Sequence, residues 1–225
     1  ATRREYFTDE QWSLISPIIT PSPIRADGKG RPREHSDRDV MNGVMWVLRT
    51  GAAWMDLLDR FPSGATCFRR FSVWVKAGVM RQILETLAKD LENRGDIDLS
   101  ECFIDGTFVV AKKGAPGWKD QAGQGYEAMV ITDVNGLPSS VHTSSASPHE
   151  VTLVEATIYQ TYTVGRPGRL TGDSAYDSDP LDQRIALKSV ELIAPHKNNR
   201  IKPSTQDGSQ LRKYKRGWKI ERFFA

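Results

Sequence analysis

Three carboxylates stand at points where the chain changes character. Asp105 follows Phe103 and Ile104 in "CFIDGTFVV", Asp173 follows a short apolar run in "RLTGDSAYDSD", and Glu221 sits among cations in "YKRGWKIERFF". Both aspartates are expected at the ends of strands, which is where open α/β sheets bind their ligands. Carboxylates gathered in one place repel one another unless a cation lies between them. Hard divalent cations take oxygen ligands, and magnesium usually keeps several waters plus one or two carboxylates and a phosphate oxygen. Three carboxylates can hold two ions about 4 Å apart, one activating an attacking oxygen and the other stabilising the leaving oxygen of an in-line phosphoryl displacement. The cations around Glu221, among them Lys215, Arg216 and Lys219, would then hold a phosphate backbone. Each carboxylate also has a plainer reading by itself. An aspartate after a strand is often a turn former or helix cap, and a helical glutamate is often half of an ion pair. Asp133 in "TDVNG" fits the turn reading, and Asp177 and Asp179, ahead of Pro180, read as caps for the helix that follows.

The elements that must position these groups begin near residue 101. "CFIDGTFVVAKKG" reads as a strand, and "YEAMVITDVNGLPSSVHTSS" as two strands joined through an Asn135-Gly136 turn, a strong hairpin signal. "SPHEVTLVEATIYQ" predicts a helix that starts at Pro148 with Ser147 as its cap. A strand "RLTGD", a helix over 178–188, a strand "VELIAP" and a last helix from about Gln210 follow. Strands in hairpins and then in alternation with helices predict an α/β domain with a mixed sheet.

The first hundred residues read as helical. Thr8 caps a helix with Asp9 and Glu10 in its first turn and Trp12, Ile15 and Ile19 at helical spacing. A Pro- and Gly-rich loop, "TPSPIRADGKGRPREHS", separates it from a helix capped by Ser36 whose apolar face is Val40, Val44, Val47 and Leu48. A third helix begins at Ser63, with Phe68, Phe71 and Trp74 turned inward and Arg69, Arg70 and Lys76 directed elsewhere. Helix, turn and helix with paired arginines on the second is the pattern of a helix-turn-helix reader of DNA.

A chain of 225 residues suffices for one large domain or two small ones. The net charge of +3 conceals an asymmetry: residues 101–195 are net −5 and residues 196–225 net +7. An acidic centre beside a basic segment suits a site that takes cations and a polyanion together. No membrane span or secretory leader is visible, so the expected location is the cytoplasm, at the nucleoid. Cys67 and Cys102 lack metal-ligand spacing and are expected to be reduced and buried.

Taken in order, "GRPREHSDRDVMNGVMWVLRTGAAW", "IDGTFVVAKKG", "SSASPHEVTLVEATI", "GDSAYDSDPLDQRI" and "IAPHKNNRIKPSTQDGSQLRKYKRGWKIERFFA" resemble the IS5 family of bacterial insertion-sequence transposases, from about residue 6 onward. The resemblance implies an RNase H-like catalytic domain, a mixed sheet flanked by helices, over 99–225, C-terminally truncated. It also implies an all-helical domain over 1–98 that helps to recognise the element's terminal inverted repeats. The family's Asp, Asp, Glu triad falls on Asp105, Asp173 and Glu221, which would hold two Mg²⁺ or Mn²⁺ ions. The implied activity is metal-dependent cleavage and strand transfer at the inverted repeats, carried out by a homodimer on double-stranded DNA. The DNA contacts are assigned to Arg69 and Arg70 and, in the basic tail, to Lys197, Arg200, Lys213, Tyr214, Lys215, Arg216 and Lys219. Three departures stand out. Gly217 occupies the place of an arginine in the motif around the glutamate, the motif's lysine would fall beyond Ala225, and Glu127 stands where a lysine is usual. They define the alternative expectation, an inactive derivative that only binds the transposon ends.

Overall fold

The structure, a computed structural model, describes residues 6–19, 34–110, 118–120, 123–145, 149–203, 205, 206 and 220. It divides into two compact units, 1–87 and 88–225.

The first unit is helical. Helix α1, Asp9–Ile15, carries the full Thr8 capping box, in which the Thr8 hydroxyl accepts from the Gln11 amide while the Gln11 side chain accepts from the Thr8 amide. Helix α2, Asp37–Thr50, is capped by Ser36 and closed by Gly51, whose φ of 67° is the left-handed conformation that glycine adopts without strain. Helix α3, Gly64–Lys76, is capped by Ser63. Helix α4, Val79–Arg94, begins in this unit and ends in the next. Ile15, Val40, Met41, Val44, Cys67, Trp74 and Ile83 make the core. Two positions expected in that core lie outside it: Leu48 is 53% exposed and Phe68 52%. Both sit at the edge of an apolar stripe, where periodicity cannot tell which flank a neighbouring element will cover. Phe68 instead meets Trp54 edge-on, with ring centroids 5.6 Å apart.

Gly64 opens α3 against the carbonyl of Trp54, in a single 3₁₀ turn over Trp54–Asp56. A Cβ there would overlap that backbone oxygen, which no side-chain rearrangement can relieve. Gly64→Ala is therefore expected to destabilise the unit by about 1–3 kcal/mol, as overpacking against backbone does, measured by denaturant unfolding.

The second unit is built on a six-stranded mixed sheet. The strands are β1, Cys102–Val110; β2, Trp118–Asp120; β3, Gly123–Thr132; β4, Pro138–Ser145; β5, Arg169–Thr171; and β6, Glu191–Ile193. The main order is β4-β3-β1-β5-β6, with short β2 also on β3. β1, β3 and β4 are antiparallel neighbours, whereas β5 and β6 run parallel to β1. The β3–β4 hairpin turns at Asn135 and Gly136, the latter with φ of 85°. Buried Asp133 closes the turn by accepting from the amides of Asn135 and Leu137, both at 2.8 Å, so its role is the turn reading.

Helices α5, Glu150–Tyr159, and α6, Asp179–Ala186, cover one face of this sheet. Leu153, Val154, Ile158, Leu181 and Ile185 pack there on Cys102, Ile104, Met129, Ile131 and Leu170. The other face buries Phe103, Val130 and Ile220 together. The expected start of α5 at Ser147 and Pro148 lies outside the described residues; His149 occupies the cap position without a side-chain bond. Cys67 and Cys102 are free and buried as expected, and burial pushes their thiols up to about 11 and about 12. A hairpin-first mixed sheet in this order, flanked by helices, is the RNase H-like arrangement.

Candidate functional site

Asp105 does not end its strand. β1 continues to Val110, held along its length by β3, and Asp105 pairs with Val130 in that ladder. Its parallel neighbour is what stops: the last β1–β5 pair is Phe103 with Thr171. Asp105 and Asp173 each lie two residues past that pair, so the parallel register carries both to the same level, just beyond the carboxyl end of β5. Asp105 shares a sheet face with Phe103, because side chains two apart on a strand point the same way. That is the face on which Ile220 is buried against Phe103 and Val130. Glu221 follows Ile220 in sequence but, with Lys213, Tyr214, Lys215, Arg216, Gly217 and Lys219, lies outside the described residues.

Local structure explains each aspartate's setting. Asp105 accepts from the amide of Gly106 at 2.8 Å. Exposed Asp173 caps a 3₁₀ turn, Ser174–Tyr176, by accepting from the Ala175 amide at 2.8 Å, so it fulfils the bland cap role while its carboxylate stays open to solvent. A glycine adjoins each. A Cβ on Gly172 would stand 2.5 Å from Cδ2 of Tyr176, and one on Gly106 would meet Oε1 of Glu127 at 2.9 Å and Cδ of Glu150 at 3.3 Å. The absent side chain of Gly172 leaves room for a buried group that the sequence did not single out as functional. Tyr176 is fully buried, and its hydroxyl faces Glu150 without forming a hydrogen bond. Burial chiefly, then the charges of Glu150, Asp105 and Asp173, push its ionisation far above the ordinary range. Glu127 is raised by burial and by the facing Glu150 carboxylate. The signal available for these groups was the pairing of a glycine with each aspartate, in "DGT" and "GDSAY".

Asp177 and Asp179 do not cap α6 as expected: Ser178 holds the cap position without a side-chain bond, and the two carboxylates bind the 196–202 segment instead. Asp177 accepts from Arg200 at 2.6 Å, from the Lys197 amide at 2.9 Å, and shares a hydrogen bond with Nδ1 of His196 at 3.1 Å. Asp179 pairs with Arg200 at 2.7 Å and Lys202 at 2.9 Å. Arg200, expected on DNA, is thus engaged by two carboxylates of its own chain, while Lys197 is exposed. The price falls on Asp182, whose Oδ1 is buried without a hydrogen-bond partner. Burial, then the charges of Asp179 and Asp177, push its carboxyl up to about 6. An acid whose folded pKa lies above its unfolded one loses stability as pH rises between the two. Asp182→Asn is therefore expected to leave stability unchanged below about pH 4 and to raise it by about 1–2 kcal/mol above pH 6, allowing for partial solvent screening. Thermal unfolding across that range measures it.

The arginine pair of α3 divides in the same way. Arg70 pairs with Asp37, donates to the His35 carbonyl at 3.2 Å and lies 5.7 Å from the Trp74 ring centroid, tying α3 to the start of α2. Arg69 is exposed. Arg70→Ala is expected to cost about 1–3 kcal/mol of stability through lost charged hydrogen bonds, and Arg69→Ala close to none, compared by urea unfolding.

Among the described residues no group of three His, Cys, Asp or Glu side chains is placed to hold a metal ion, and no helix is long and apolar enough to cross a membrane. Asp105 and Asp173 fit a divalent ion by the chemistry of their hard oxygen donors and by their common level in the sheet.

The sheet order and its covering helices define the fold class as RNase H-like. Comparison with known proteins narrows the class. The family model "Transposase DDE domain" matches residues 97–225, more than half of the chain, and "Putative transposase of IS4/5 family" matches residues 7–84. The chain belongs to the DDE-domain transposases. It is 37% identical over 106 residues to an uncharacterised 16.2 kDa protein of insertion element IS402 from Burkholderia cepacia, covering 46% of this chain and 71% of that protein. A Sinorhizobium fredii protein, y4sN, is 31% identical over 109 residues, with 48% and 79% covered. Among solved structures, a piggyBac transposase synaptic complex with hairpin DNA matches at TM-score 0.39 and 14% identity, over 91% of this chain and 52% of the other. The Mos1 strand transfer complex matches at 0.31 and 9%, over 84% and 72%. The chain thus spans about half the length of the piggyBac chain.

Proposed function

We propose that this transposase-family chain cleaves DNA and transfers strands at the terminal inverted repeats of an IS5-type element, with Asp105, Asp173 and Glu221 as the catalytic carboxylates. The observation that carries the reading is the shared level of Asp105 and Asp173 past the end of β5. The burial of Ile220 on the Asp105 face supports Glu221 as their third partner. These residues would hold two Mg²⁺ or Mn²⁺ ions, whose chemistry is to activate the attacking oxygen and stabilise the leaving one. The protein's own part is positioning. The β1 ladder fixes Asp105, the 3₁₀ turn fixes Asp173, and the exposed carboxylate of Asp173 leaves room for a phosphate. Double-stranded DNA is the partner, bound by a homodimer at the nucleoid, with the helical segment over 1–98 reading the ends and the segment over 99–225 acting on them. Lys197 and the cations at 213, 215, 216 and 219, with Tyr214, contact the backbone. Arg200 shapes the loop that carries Lys197.

The test is cleavage of labelled inverted-repeat duplex with Mg²⁺ or Mn²⁺. Nicking and joining that require metal, and that are lost in the aspartate variants, support the reading. Binding without cleavage under all conditions favours an inactive binder of transposon ends, a reading that Gly217 motivates. Gly217→Arg restores a guanidinium four residues before Glu221 in the sequence and is expected to raise the cleavage rate in the same assay.

A further inference from the structure

Helix α3 turns an unusual face to solvent. At about 100° per residue, Phe68, Ser72, Ala65, Lys76, Arg69 and Val73 fall in that order across an arc of about 140° opposite buried Cys67 and Trp74. The helix has three cations and no carboxylate in its thirteen residues. Arg70 is engaged by Asp37, which leaves Arg69 and Lys76 as the cations on the outer arc. These two cations are neighbours on the arc, and at its two ends stand large apolar side chains that a solvated surface would not select: Phe68 is 52% exposed and Val73 49%. Phe68 is also held in place, its ring edge-on to Trp54. Ser72 is spent within the helix, its hydroxyl donating to the Phe68 carbonyl at 2.8 Å.

A pair of cations flanked by exposed apolar side chains, with no acid on the helix, fits a polyanion that also presents methyl groups. The major groove of DNA is such a surface. It admits an α-helix, its rims carry phosphates, and thymine displays a C5 methyl that apolar side chains contact. We propose that the outer arc of α3 is the base-reading surface, with Phe68 and Val73 reading thymine methyls while Arg69 and Lys76 take flanking phosphate or guanine edges. The inference rests on the DNA-binding reading above and deepens it: thymine is selected by apolar contact, and Arg70 is not part of the reader.

The experiment uses the full chain and a probe duplex obtained by selecting binders from a randomised duplex pool. Thymines in the selected site are replaced one at a time by deoxyuridine, which removes only the methyl group, and affinity is followed by fluorescence anisotropy. At one or two thymines the replacement should weaken binding about fourfold, the effect of losing one buried methyl-sized group. In Phe68→Ala or Val73→Ala the corresponding replacement should have no further effect, as expected when both changes remove one contact. Thermal unfolding of both variants confirms that the fold is kept. Wild-type binding that is indifferent to every deoxyuridine replacement overturns the proposal while leaving DNA binding intact. So does discrimination that persists unchanged in both variants. A Phe68→Ala change in oligomeric state with thymine discrimination retained assigns the arc to contact between copies and also overturns it. Failure to select or bind any duplex at low salt removes the DNA-binding reading itself, and this one with it.

Discussion

Replacing either Asp105 or Asp173 by asparagine is expected to reduce metal-dependent strand cleavage by at least about 100-fold while leaving affinity for the same duplex within a factor of about two. Even residues that only hydrogen-bond to a metal's ligands change metal affinity or activity by about 10–100-fold when altered, so loss of a charged ligand should exceed that range. Asparagine keeps the shape of the side chain. Its oxygen can still accept from Gly106 at position 105 or from Ala175 at position 173, so the backbone around each site should hold. Binding is expected to survive because the phosphate contacts are proposed for cations elsewhere in the chain. A direct measure of Mn²⁺ affinity should weaken in both variants. Unchanged cleavage in Asp173→Asn would refute the catalytic assignment, since that carboxylate is the exposed member of the pair.

What could be read from the sequence follows the range of the forces involved. Thr8, Ser36 and Ser63 were legible as caps because a cap is satisfied within four residues, and each makes its bond to the amide three positions on. The Asn135-Gly136 turn was legible for the same reason. The two aspartates were legible as strand-associated carboxylates, yet the feature that levels them is a difference in strand length: β1 runs on past the end of β5. Strand ends depend on pairing partners distant in sequence, which no local pattern records. The DNA-contact assignments of Arg70 and Arg200 met the same limit. Their partners lie 33 and 23 residues away, and composition alone cannot separate a cation held by its own protein from one free for phosphate. Leu48 and Phe68 were placed inside by a periodicity that fixes the spacing of an apolar stripe but not its covered width. The place of Tyr176 beneath the site was hidden because it packs between Gly172 and Ile104, which only the fold brings together.

Tyr176 is the position where packing beneath the site should weigh most on stability. Tyr176→Ala is expected to destabilise the second unit by about 3–5 kcal/mol, as removing a buried aromatic ring does. The ring fills the space over Gly172 and Ile104, where a Cβ on Gly172 would also come within 3.1 Å of Cγ2 of Ile104. Without it the turn that carries Asp173 loses its buried support. Tyr176→Phe is expected to go the other way. The hydroxyl is buried without a hydrogen-bond partner and stands beside Glu150, with Asp105 and Asp173 acting on it electrostatically. Removing an unsatisfied buried polar group while keeping the ring should therefore stabilise the unit by about 1 kcal/mol or more. Urea unfolding of the two variants separates ring from hydroxyl, and cleavage assays on the same proteins show whether the ring matters to the site. If the ring props Asp173, Tyr176→Phe keeps cleavage and Tyr176→Ala loses it even at temperatures where the unit remains folded. Loss of cleavage in Tyr176→Phe with stability retained would instead make the hydroxyl a working part of the acidic centre.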